Sequence, residues 1–335
     1  MKQSCIFLLT ALLCAAQPQL WAQRHHHEHE QPQRSKASPC FDPSDPSEIP
    51  LWGGVQPPGA IGEDPCRDIP YLQAFTPETP SREPRPTILI IPGGGYNNLT
   101  NEKEQAPVAE YFASTLHITT FVLHYRLVQD DGTYRYPIPM LDGQRAIRLL
   151  RARARELQID PHSIALFGFS AGGHLASTLA LHPHQSFGKI PNDLIDSQSA
   201  EVNLLGLGYP VISMNPSAVP PSGSYRHLLF GFEGHELNTL EHQLSGEMNI
   251  NAELPPVFLF ESTDDKRISP QNAILFANAL QQAHLPVEFH LFPHGEHGSG
   301  LSEGIAGEDQ WPSMFTAWIL QQWPQLRHPR IRRDD

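Results

Sequence analysis

Ser170 lies in the pentapeptide GFSAG, between an apolar run that ends at Phe169 and a helix-like run that follows. G-x-S-x-G between a strand and a helix is the pattern of a nucleophile elbow, whose strained turn exposes the serine hydroxyl. The glycines are needed because the turn is sharp and passes close to its neighbours. The amide-rich end of the following helix favours negative charge beside the serine. The spacing therefore predicts that Ser170 is a nucleophile.

A run of glycines follows an earlier apolar run, in the segment TILIIPGGGY. Acyl transfer needs backbone N–H groups aimed at the oxyanion, and one of them belongs to the residue after the nucleophile, here Ala171. The other comes from a glycine-rich loop after an earlier strand. The sequence therefore predicts an oxyanion hole formed by Gly94, Gly95 and Ala171.

A serine nucleophile needs a base to take its proton, and the base needs a carboxylate that orients it. Asp264 and Asp265 follow the apolar run PVFLFE, and His294 and His297 follow the run PVEFHLF. The chain order Ser, Asp, His is that of the α/β-hydrolases. We favour His297, in a glycine-rich loop, over His294 as the base. We favour Asp265 over Asp264 as the acid, since Asp264 can instead hydrogen-bond its own loop.

Apolar runs of strand length alternate with stretches of helical spacing from Ile49 onward. The predicted buried strands cover residues 87–92, 118–123, 163–169, 202–208, 256–261 and 286–292. The predicted helices cover residues 140–157, 171–182, 270–283 and 309–323. This alternation predicts an α/β fold with a mostly parallel central sheet and helices on both faces. The candidate residues follow predicted strands, at the edge of the sheet where ligands bind in such folds.

One long segment, residues 212–252, is mixed in pattern and rich in Pro, Gly and Ser. We expect it to pass over the top of the sheet. The sequence contains no internal repeat and no sign of a second domain. Because no ordered cap domain is evident, we expect a shallow pocket that suits a short acyl group on a large alcohol.

The composition of the chain excludes several classes of protein. Its 335 residues are 39% hydrophobic and 18% charged, with a formal net charge of −13 at pH 7. Such a chain can build a sizeable core and is unlike a membrane bundle. Its negative charge would repel nucleic acid and anionic membranes, so neither is a predicted partner. No stretch beyond the N-terminus has the length and apolar character of a membrane span.

Residues 1–22 have the pattern of a secretory signal peptide, with Lys2 before the apolar core IFLLTALLCAA and Ala22 before the expected cut. The core is too short to cross a bilayer, so we expect a secreted or periplasmic protein. Residues 23–48 follow as a low-complexity linker rich in His, Pro and Gln. Its histidines have no rigid frame that would fix metal geometry, so no metal site is assigned to them.

The expected catalytic domain covers residues 49–325, and residues 326–335 form a polar tail. Removal of the signal peptide leaves two cysteines, Cys40 and Cys66. An even pair in an oxidising compartment predicts a disulfide between them, pinning the N-terminal arm.

The motifs PGGGY, FVLHYRL, LGYPVISM and GEHGSGL, together with the segment from YPIPML to GGHLAS, resemble the α/β-hydrolase esterases of the acetylxylan-esterase and feruloyl-esterase-like (BD-FAE-like) group. The resemblance covers about residues 49–323. It implies a serine esterase that removes acetyl or related acyl groups from sugar or polysaccharide esters without a metal or organic cofactor. It implies Ser170 as nucleophile, Asp265 as acid, His297 as base and residues 92–95 as the oxyanion loop.

Other positions bear on how far the resemblance extends. Glu104 matches an acidic residue that commonly follows the oxyanion loop, but no catalytic role is assigned to it. Glu261 stands where the family often has His, and Gln105 where Gly is common. The segment before LGYP lacks the usual Pro-Asp-Phe. None of these departures falls on the predicted triad, although they weaken any transfer of substrate preference.

Two other functions fit parts of the pattern. A serine exopeptidase of the prolyl-oligopeptidase type uses the same triad order, but the chain has no propeller-like N-terminal repeat. A carbohydrate-binding protein on a hydrolase frame would not need the serine, aspartate, histidine and oxyanion loop together. The sequence favours a secreted carbohydrate esterase that works through an acyl-enzyme.

Overall fold

The computed structural model describes residues 40–327, apart from residues 54, 79–80, 82, 101–102 and 189–192. The predicted signal peptide, the linker up to residue 39 with its histidine cluster, and the tail from residue 328 lie outside the described residues. Among the described residues, no helix has the length and apolar character needed to cross a membrane.

A single eight-stranded sheet runs through the described part of the chain. Its strands are β1 (Glu48–Pro50), β2 (Tyr71–Phe75), β3 (Arg85–Ile91), β4 (Thr120–His124), β5 (Ile159–Phe169), β6 (Leu204–Gly208), β7 (Val257–Ser262) and β8 (Val287–Phe292). They lie in the order β1-β2-β4-β3-β5-β6-β7-β8. β2 pairs antiparallel with β1 and with β4, and every other pairing is parallel.

Helices cover both faces of this sheet. They are α1 (Ala106–Leu116), α2 (Ile138–Ala152), α3 (Ser170–Leu181), α4 (Gly223–Leu228), α5 (Gly234–Gln243), α6 (Gln271–Gln282) and α7 (Trp311–Gln322). Alternate side chains of β3 enter two separate cores, since Leu89 and Ile91 pack with α2, α3 and α6, whereas Ile88 and Ile90 pack with α1 and α7. A mostly parallel sheet buried on both faces confirms the predicted α/β class.

All the predicted strands and helices are present, with shifted ends. The largest shift concerns α2, which ends at Ala152 although helical spacing continues to Leu157. The chain turns here because it must enter β5, and the N–H of Ile159 donates to the Ala154 carbonyl at 3.0 Å. The elements that were not predicted from the sequence are β1, β2, α1, α4 and α5.

The segment 212–252, expected to cross the top of the sheet, contains α4, α5 and a short 3₁₀ turn at Gly246–Met248. It is anchored by leucines that join the core on the side of α2 and α3, namely Leu228, Leu229, Leu240 and Leu244. His227 Nδ1 lies 2.7 Å from the Gly95 carbonyl oxygen. The segment therefore contacts the glycine loop that follows β3.

The N-terminal arm is tied to the sheet edge by the predicted disulfide, which joins Cys40 to Cys66. The N–H of Phe41 donates to the Pro65 carbonyl at 3.0 Å beside it. The described part of the chain thus includes residues 40–48, the last nine residues of the stretch assigned to the linker.

Candidate active site

Ser170 is the first residue of α3 and directly follows β5. Its φ angle of 51° lies in the left-handed region, which is strained for a residue with a side chain. The corner is tight, because a Cβ on Gly172 would overlap the Ile91 carbonyl oxygen. A Cβ on Gly173 would lie 2.6 Å from Pro210 Cβ. These glycines are required so that α3 can start against β3 with the serine raised at the turn.

A continuous hydrogen-bonded chain joins Ser170, His297 and Asp265. Ser170 Oγ lies 2.7 Å from His297 Nε2, and His297 Nδ1 lies 2.7 Å from Asp265 Oδ2. The other carboxylate oxygen accepts from the N–H groups of Arg267 at 2.7 Å and Ile268 at 3.0 Å. This geometry lets the imidazole take the serine proton while the carboxylate fixes its tautomer and orientation. The structure thus brings together the three side chains predicted as nucleophile, base and acid.

The Asp265 carboxylate is nearly inaccessible, with its side chain 1% exposed. Burial alone would raise its pKa, but the hydrogen bond and charge of His297, with the two loop N–H groups, outweigh burial and lower the pKa below the ordinary value. The carboxylate is therefore ionised at neutral pH, as a partner of an imidazolium must be.

The alternative acid and base form a separate pair. Asp264 Oδ2 lies 3.1 Å from His294 Nδ1, and Asp264 Oδ1 accepts from the N–H of Gly295 at 2.9 Å. Both side chains are exposed, at 45% for Asp264 and 79% for His294. This outer pair holds the loop after β8 to the loop after β7, and neither residue replaces its neighbour in the chain to Ser170.

The glycine loop after β3 adjoins the serine, since a Cβ on Gly93 would lie 2.8 Å from Ser170 Cβ. Gly94 and Gly95 have φ angles of 119° and 66°, which glycine tolerates and other residues avoid. Within the described residues, neither Gly94 nor Gly95 uses its N–H in a hydrogen bond. The N–H of Ala171 lies in the first turn of α3, where a helix provides no acceptor. The three predicted oxyanion donors therefore remain candidates for that role.

A family model described as BD-FAE matches residues 72–280. The chain belongs to the BD-FAE family. This confirms the family resemblance predicted from the motifs.

Curated relatives of this BD-FAE protein include an acetylxylan esterase from Xylanibacter ruminicola, 30% identical over 264 residues that cover 78% of this chain and 50% of that protein. Another is endo-1,4-β-xylanase B from Butyrivibrio fibrisolvens, 29% identical over 64% of this chain and 32% of that protein. The chain thus spans half or less of the length of these relatives.

Among solved structures, the acetyl ester-xyloside bifunctional hydrolase from Caldicellulosiruptor lactoaceticus is 35% identical with a TM-score of 0.71, over 82% of this chain and 96% of that one. An esterase from Thermogutta terrifontis is 25% identical with a TM-score of 0.61, over 75% of this chain and 87% of that one. Both likenesses extend over most of the neighbour's chain, so they match the whole described fold rather than one motif.

Three buried glutamates surround the site of this BD-FAE protein without belonging to the hydrogen-bonded chain. Glu308 accepts from the N–H of Glu296 and from Ser299 Oγ, both at 3.1 Å, and so braces the His297 loop.

Glu261 is fully buried at the end of β7. Burial raises its pKa, and the nearby charge of Asp265 acts in the same direction. Both effects favour the neutral form of this carboxyl beside Asp265.

The third glutamate is Glu104, which the sequence analysis singled out without assigning a role. One of its oxygens accepts from the N–H of Gly93 at 2.7 Å, and the other accepts from the Tyr209 hydroxyl at 2.9 Å. Burial raises the pKa of Glu104, while these hydrogen bonds and the charge of His297 act against that rise. Tyr209, which the sequence analysis missed, has only its place in the LGYP motif as a signal.

A cavity of about 360 Å³ lies beside Asp265, between the segment after β6 and the loop after β7. Its polar lining includes Ser213, Ser222, Lys266, Arg267, Ser269 and Asn272. Among the described residues, no group of three or more His, Cys, Asp or Glu side chains is placed to hold a metal ion.

Proposed function

We propose that this BD-FAE protein is a serine carboxylic-ester hydrolase that removes acetyl or other short acyl groups from sugar or polysaccharide esters. The observation that carries the proposal is the hydrogen-bonded chain from Ser170 through His297 to Asp265, with 2.7 Å at each link, beside a glycine loop. Among the described residues, the N–H groups of Gly94 and Gly95 in that loop have no acceptor. Serine, base, acid and oxyanion donors together are the machinery of acyl transfer.

In the proposed reaction, Ser170 Oγ attacks the ester carbonyl carbon while its proton passes to His297 Nε2. The N–H groups of Ala171 and of Gly94 or Gly95 stabilise the oxyanion. The tetrahedral intermediate collapses, and the alcohol leaves with the proton from His297, giving an acyl-enzyme. Water then attacks the acyl carbon with His297 again as base, and the carboxylic acid departs while Ser170 regains its proton.

The substrate class rests on two considerations. The relatives are named acetylxylan esterase and xylanase, and the structural neighbour is named an acetyl ester-xyloside hydrolase. The lining of the cavity beside Asp265 combines apolar residues such as Val211 and Val219 with hydroxyl, amide, ammonium and guanidinium side chains. These polar groups can hydrogen-bond the hydroxyl-rich alcohol of a sugar ester. Acetylated xylan or a related sugar ester is therefore the proposed substrate.

The test compares the mature wild type with Ser170→Ala and with Ser177→Ala. Ser177 is a matched control, because it is also a buried serine of α3 but donates to the His174 carbonyl instead of facing His297. Acetate release from acetylated xylan and nitrophenol release from 4-nitrophenyl acetate are measured for each. We expect Ser170→Ala to lose about 10⁴-fold or more of kcat on both substrates, and Ser177→Ala to retain it.

Other outcomes distinguish the alternatives. Hydrolysis of the small ester alone would keep the serine chemistry and contradict acetylxylan as substrate. Cleavage of prolyl peptide nitroanilides without ester hydrolysis would favour the exopeptidase. Binding of xylan with no turnover of any substrate, and no difference in Ser170→Ala, would favour the carbohydrate-binding protein.

We also infer that the chain is exported, with the signal peptide removed before Gln23. The Cys40–Cys66 disulfide supports this, since disulfides persist mainly in oxidising compartments. N-terminal sequencing of the protein from the medium or periplasm of an expressing bacterium tests the inference. A sequence that begins at Gln23 is expected, and full-length protein retained in the cytoplasm would contradict it.

A further inference from the structure

Glu104 is a buried carboxyl group whose partners are Gly93, in the oxyanion loop, and Tyr209, which directly follows β6. It is 0% exposed, and its hydrogen-bond partners among the described residues are N–H and O–H donors. A buried carboxyl is costly to the folded state unless its oxygens are hydrogen-bonded. A site that retains one at this cost is a candidate for a functional role.

The first partner of Glu104 lies at the start of the oxyanion loop. Glu104 Oε2 lies 2.7 Å from the N–H of Gly93, and a Cβ on Gly93 would lie 2.9 Å from the same oxygen. The Gly93 carbonyl accepts from the N–H of Thr100 at 3.1 Å. Because the Gly93 N–H is held by Glu104, the N–H groups of Gly94 and Gly95 are the ones left for a substrate.

The second partner, Tyr209, leads to the loop that carries the base. Its hydroxyl donates to Glu104 Oε1 at 2.9 Å and accepts from the N–H of Gly300 at 3.0 Å. Its ring centroid lies 5.0 Å from that of His297. A Cβ on Gly298 would lie 3.8 Å from Glu104 Oε1, so the His297 loop passes directly over the carboxyl.

We infer that Glu104 is a positioning residue, which through Gly93 and through Tyr209 holds the oxyanion loop and the His297 loop at fixed places around Ser170. The inference rests on the proposed function and extends it to a residue outside the triad. The two loops come from opposite sides of β5 in the sheet, because one follows β3 and the other follows β8. No strand hydrogen bond joins β3 directly to β8, because β5, β6 and β7 lie between them, whereas Glu104 and Tyr209 together connect the two loops.

The test uses Glu104→Gln, Tyr209→Phe and the double variant, with kcat and KM for 4-nitrophenyl acetate and the thermal midpoint of each. Glutamine offers one acceptor oxygen where glutamate offers two, and phenylalanine removes the hydroxyl between Glu104 and Gly300. We expect each single variant to lose about 10- to 100-fold of kcat, the scale of a displacement of about 1 Å in catalytic geometry, with little change in KM. The kcat of the double variant should be no lower than that of the less active single variant, because Tyr209 acts through Glu104.

Tyr134→Phe is the matched control. It removes an equally buried hydroxyl that donates to a buried carboxylate, Asp68, at 2.5 Å. We expect it to lower the thermal midpoint about as much as Tyr209→Phe does and to leave kcat unchanged. The inference would be overturned if Tyr209→Phe and Glu104→Gln both kept the kcat of the wild type. It would also be overturned if the loss of kcat in the double variant equalled the product of the two single losses. If Glu104→Gln does not fold, the comparison of kcat between Tyr209→Phe and Tyr134→Phe tests the inference.

The labelling rate of Ser170 by a fluorophosphonate separates this inference from the proposed function. A wild type that labels rapidly but hydrolyses no ester would overturn the esterase proposal alone. The inference then stands if Tyr209→Phe labels slowly and Tyr134→Phe labels at the wild-type rate. Equal labelling of all variants would overturn the inference alone, and a wild type that neither labels nor hydrolyses would overturn both.

Discussion

At the scale of single residues, the protein presents two adjacent acid–histidine pairs and uses only one of them to reach the serine. The side chains of Asp265 and His297 are 1% and 9% exposed and continue to Ser170, whereas Asp264 and His294 contact each other at the surface. The same residue types therefore differ in environment because of where their loops place them.

The first prediction tests this difference. Asp265→Asn should lower kcat for ester hydrolysis by about 10⁴-fold, because an amide stabilises the wrong tautomer of the histidine. Asp264→Asn is the matched control and should leave kcat nearly unchanged, because its partner His294 is 79% exposed and outside the chain to Ser170. Steady-state kinetics on 4-nitrophenyl acetate measure both. A large loss in Asp264→Asn with little in Asp265→Asn would reverse the assignment.

Sequence motifs identified the nucleophile more readily than the residues that support it. Ser170 and the glycines around it form a local pattern, because the elbow is made by consecutive residues. Glu104 and Tyr209 are 105 residues apart, and only the fold brings them together. Their contact leaves no periodic or local signal in a single sequence, which is why Tyr209 was missed and Glu104 had no role.

At the scale of secondary structure elements, the corner between β5 and α3 depends on close approach of backbone to backbone. The second prediction is that Gly172→Ala destabilises the fold by about 3 kcal/mol or more, because its Cβ would overlap the carbonyl oxygen of Ile91, a backbone atom that cannot move alone. The free energy of unfolding in urea measures the loss.

Gly143→Ala is the control, as Gly143 is a buried helical glycine whose Cβ would lie 2.6 Å from Leu179 Cδ1, the end of a flexible side chain. The end of the Leu179 side chain can shift, and alanine favours the helix over glycine by about 1 kcal/mol. The free energy of unfolding of Gly143→Ala should therefore stay close to that of the wild type. Equal losses in the two variants would contradict the backbone explanation.

Most strands of the sheet were predictable, but the two at the edge that begins with β1 were not. β3 to β7 are mostly apolar runs that alternate with helical spacing, which is the pattern of strands buried on both faces. β1 has only three residues, and β2 owes its place to antiparallel pairing with β4, a partner about fifty residues away in the sequence. The end of α2 was misplaced for a similar reason, since the turn into β5 overrides the helical spacing of residues 153–157.

At the scale of the whole molecule, one covalent bond ties the N-terminal arm to the sheet edge. The third prediction is that Cys40→Ser with Cys66→Ser lowers the free energy of unfolding by about 3 kcal/mol, the chain-entropy value for a loop of this length. The two cysteines are 26 residues apart. Urea unfolding of the double variant and of oxidised wild type measures the difference, and kcat should stay unchanged because neither cysteine contacts the site. Identical unfolding curves would contradict a stabilising role.

The fourth prediction concerns the pH dependence of stability. Burial lowers the pKa of His124 to about 3, and among the described residues neither of its ring nitrogens has a hydrogen-bond partner. An unfolded histidine titrates near pH 6.5. Between pH 6.5 and 3, position 124 therefore binds a proton in the unfolded chain but not in the folded chain. The contribution of His124 to the free energy of unfolding is fully present above pH 6.5 and is lost as the pH falls toward 3.

His124→Phe removes this titration and keeps the stacking on Tyr71, whose ring centroid lies 4.2 Å away. As the pH falls from 7.5 to 5, the free energy of unfolding of the variant should decrease by about 2 kcal/mol less than that of the wild type. His174, whose pKa burial lowers to about 4, still titrates in the variant, so some slope remains. Urea unfolding at several pH values measures the slopes, and parallel curves for variant and wild type would contradict the prediction.

The separation of Ser170 from His297 has a consequence for biosynthesis. The two residues are 127 positions apart, and the base follows the last strand of the sheet. During translation Ser170, the proposed nucleophile, leaves the ribosome long before His297 is synthesised, so its hydrogen bond to His297 cannot yet form. Chains that stop before residue 297 cannot acquire the proposed activity, even if β3 to β6 have already assembled. Ester hydrolysis by a nascent chain would therefore show that the ribosome had already translated His297.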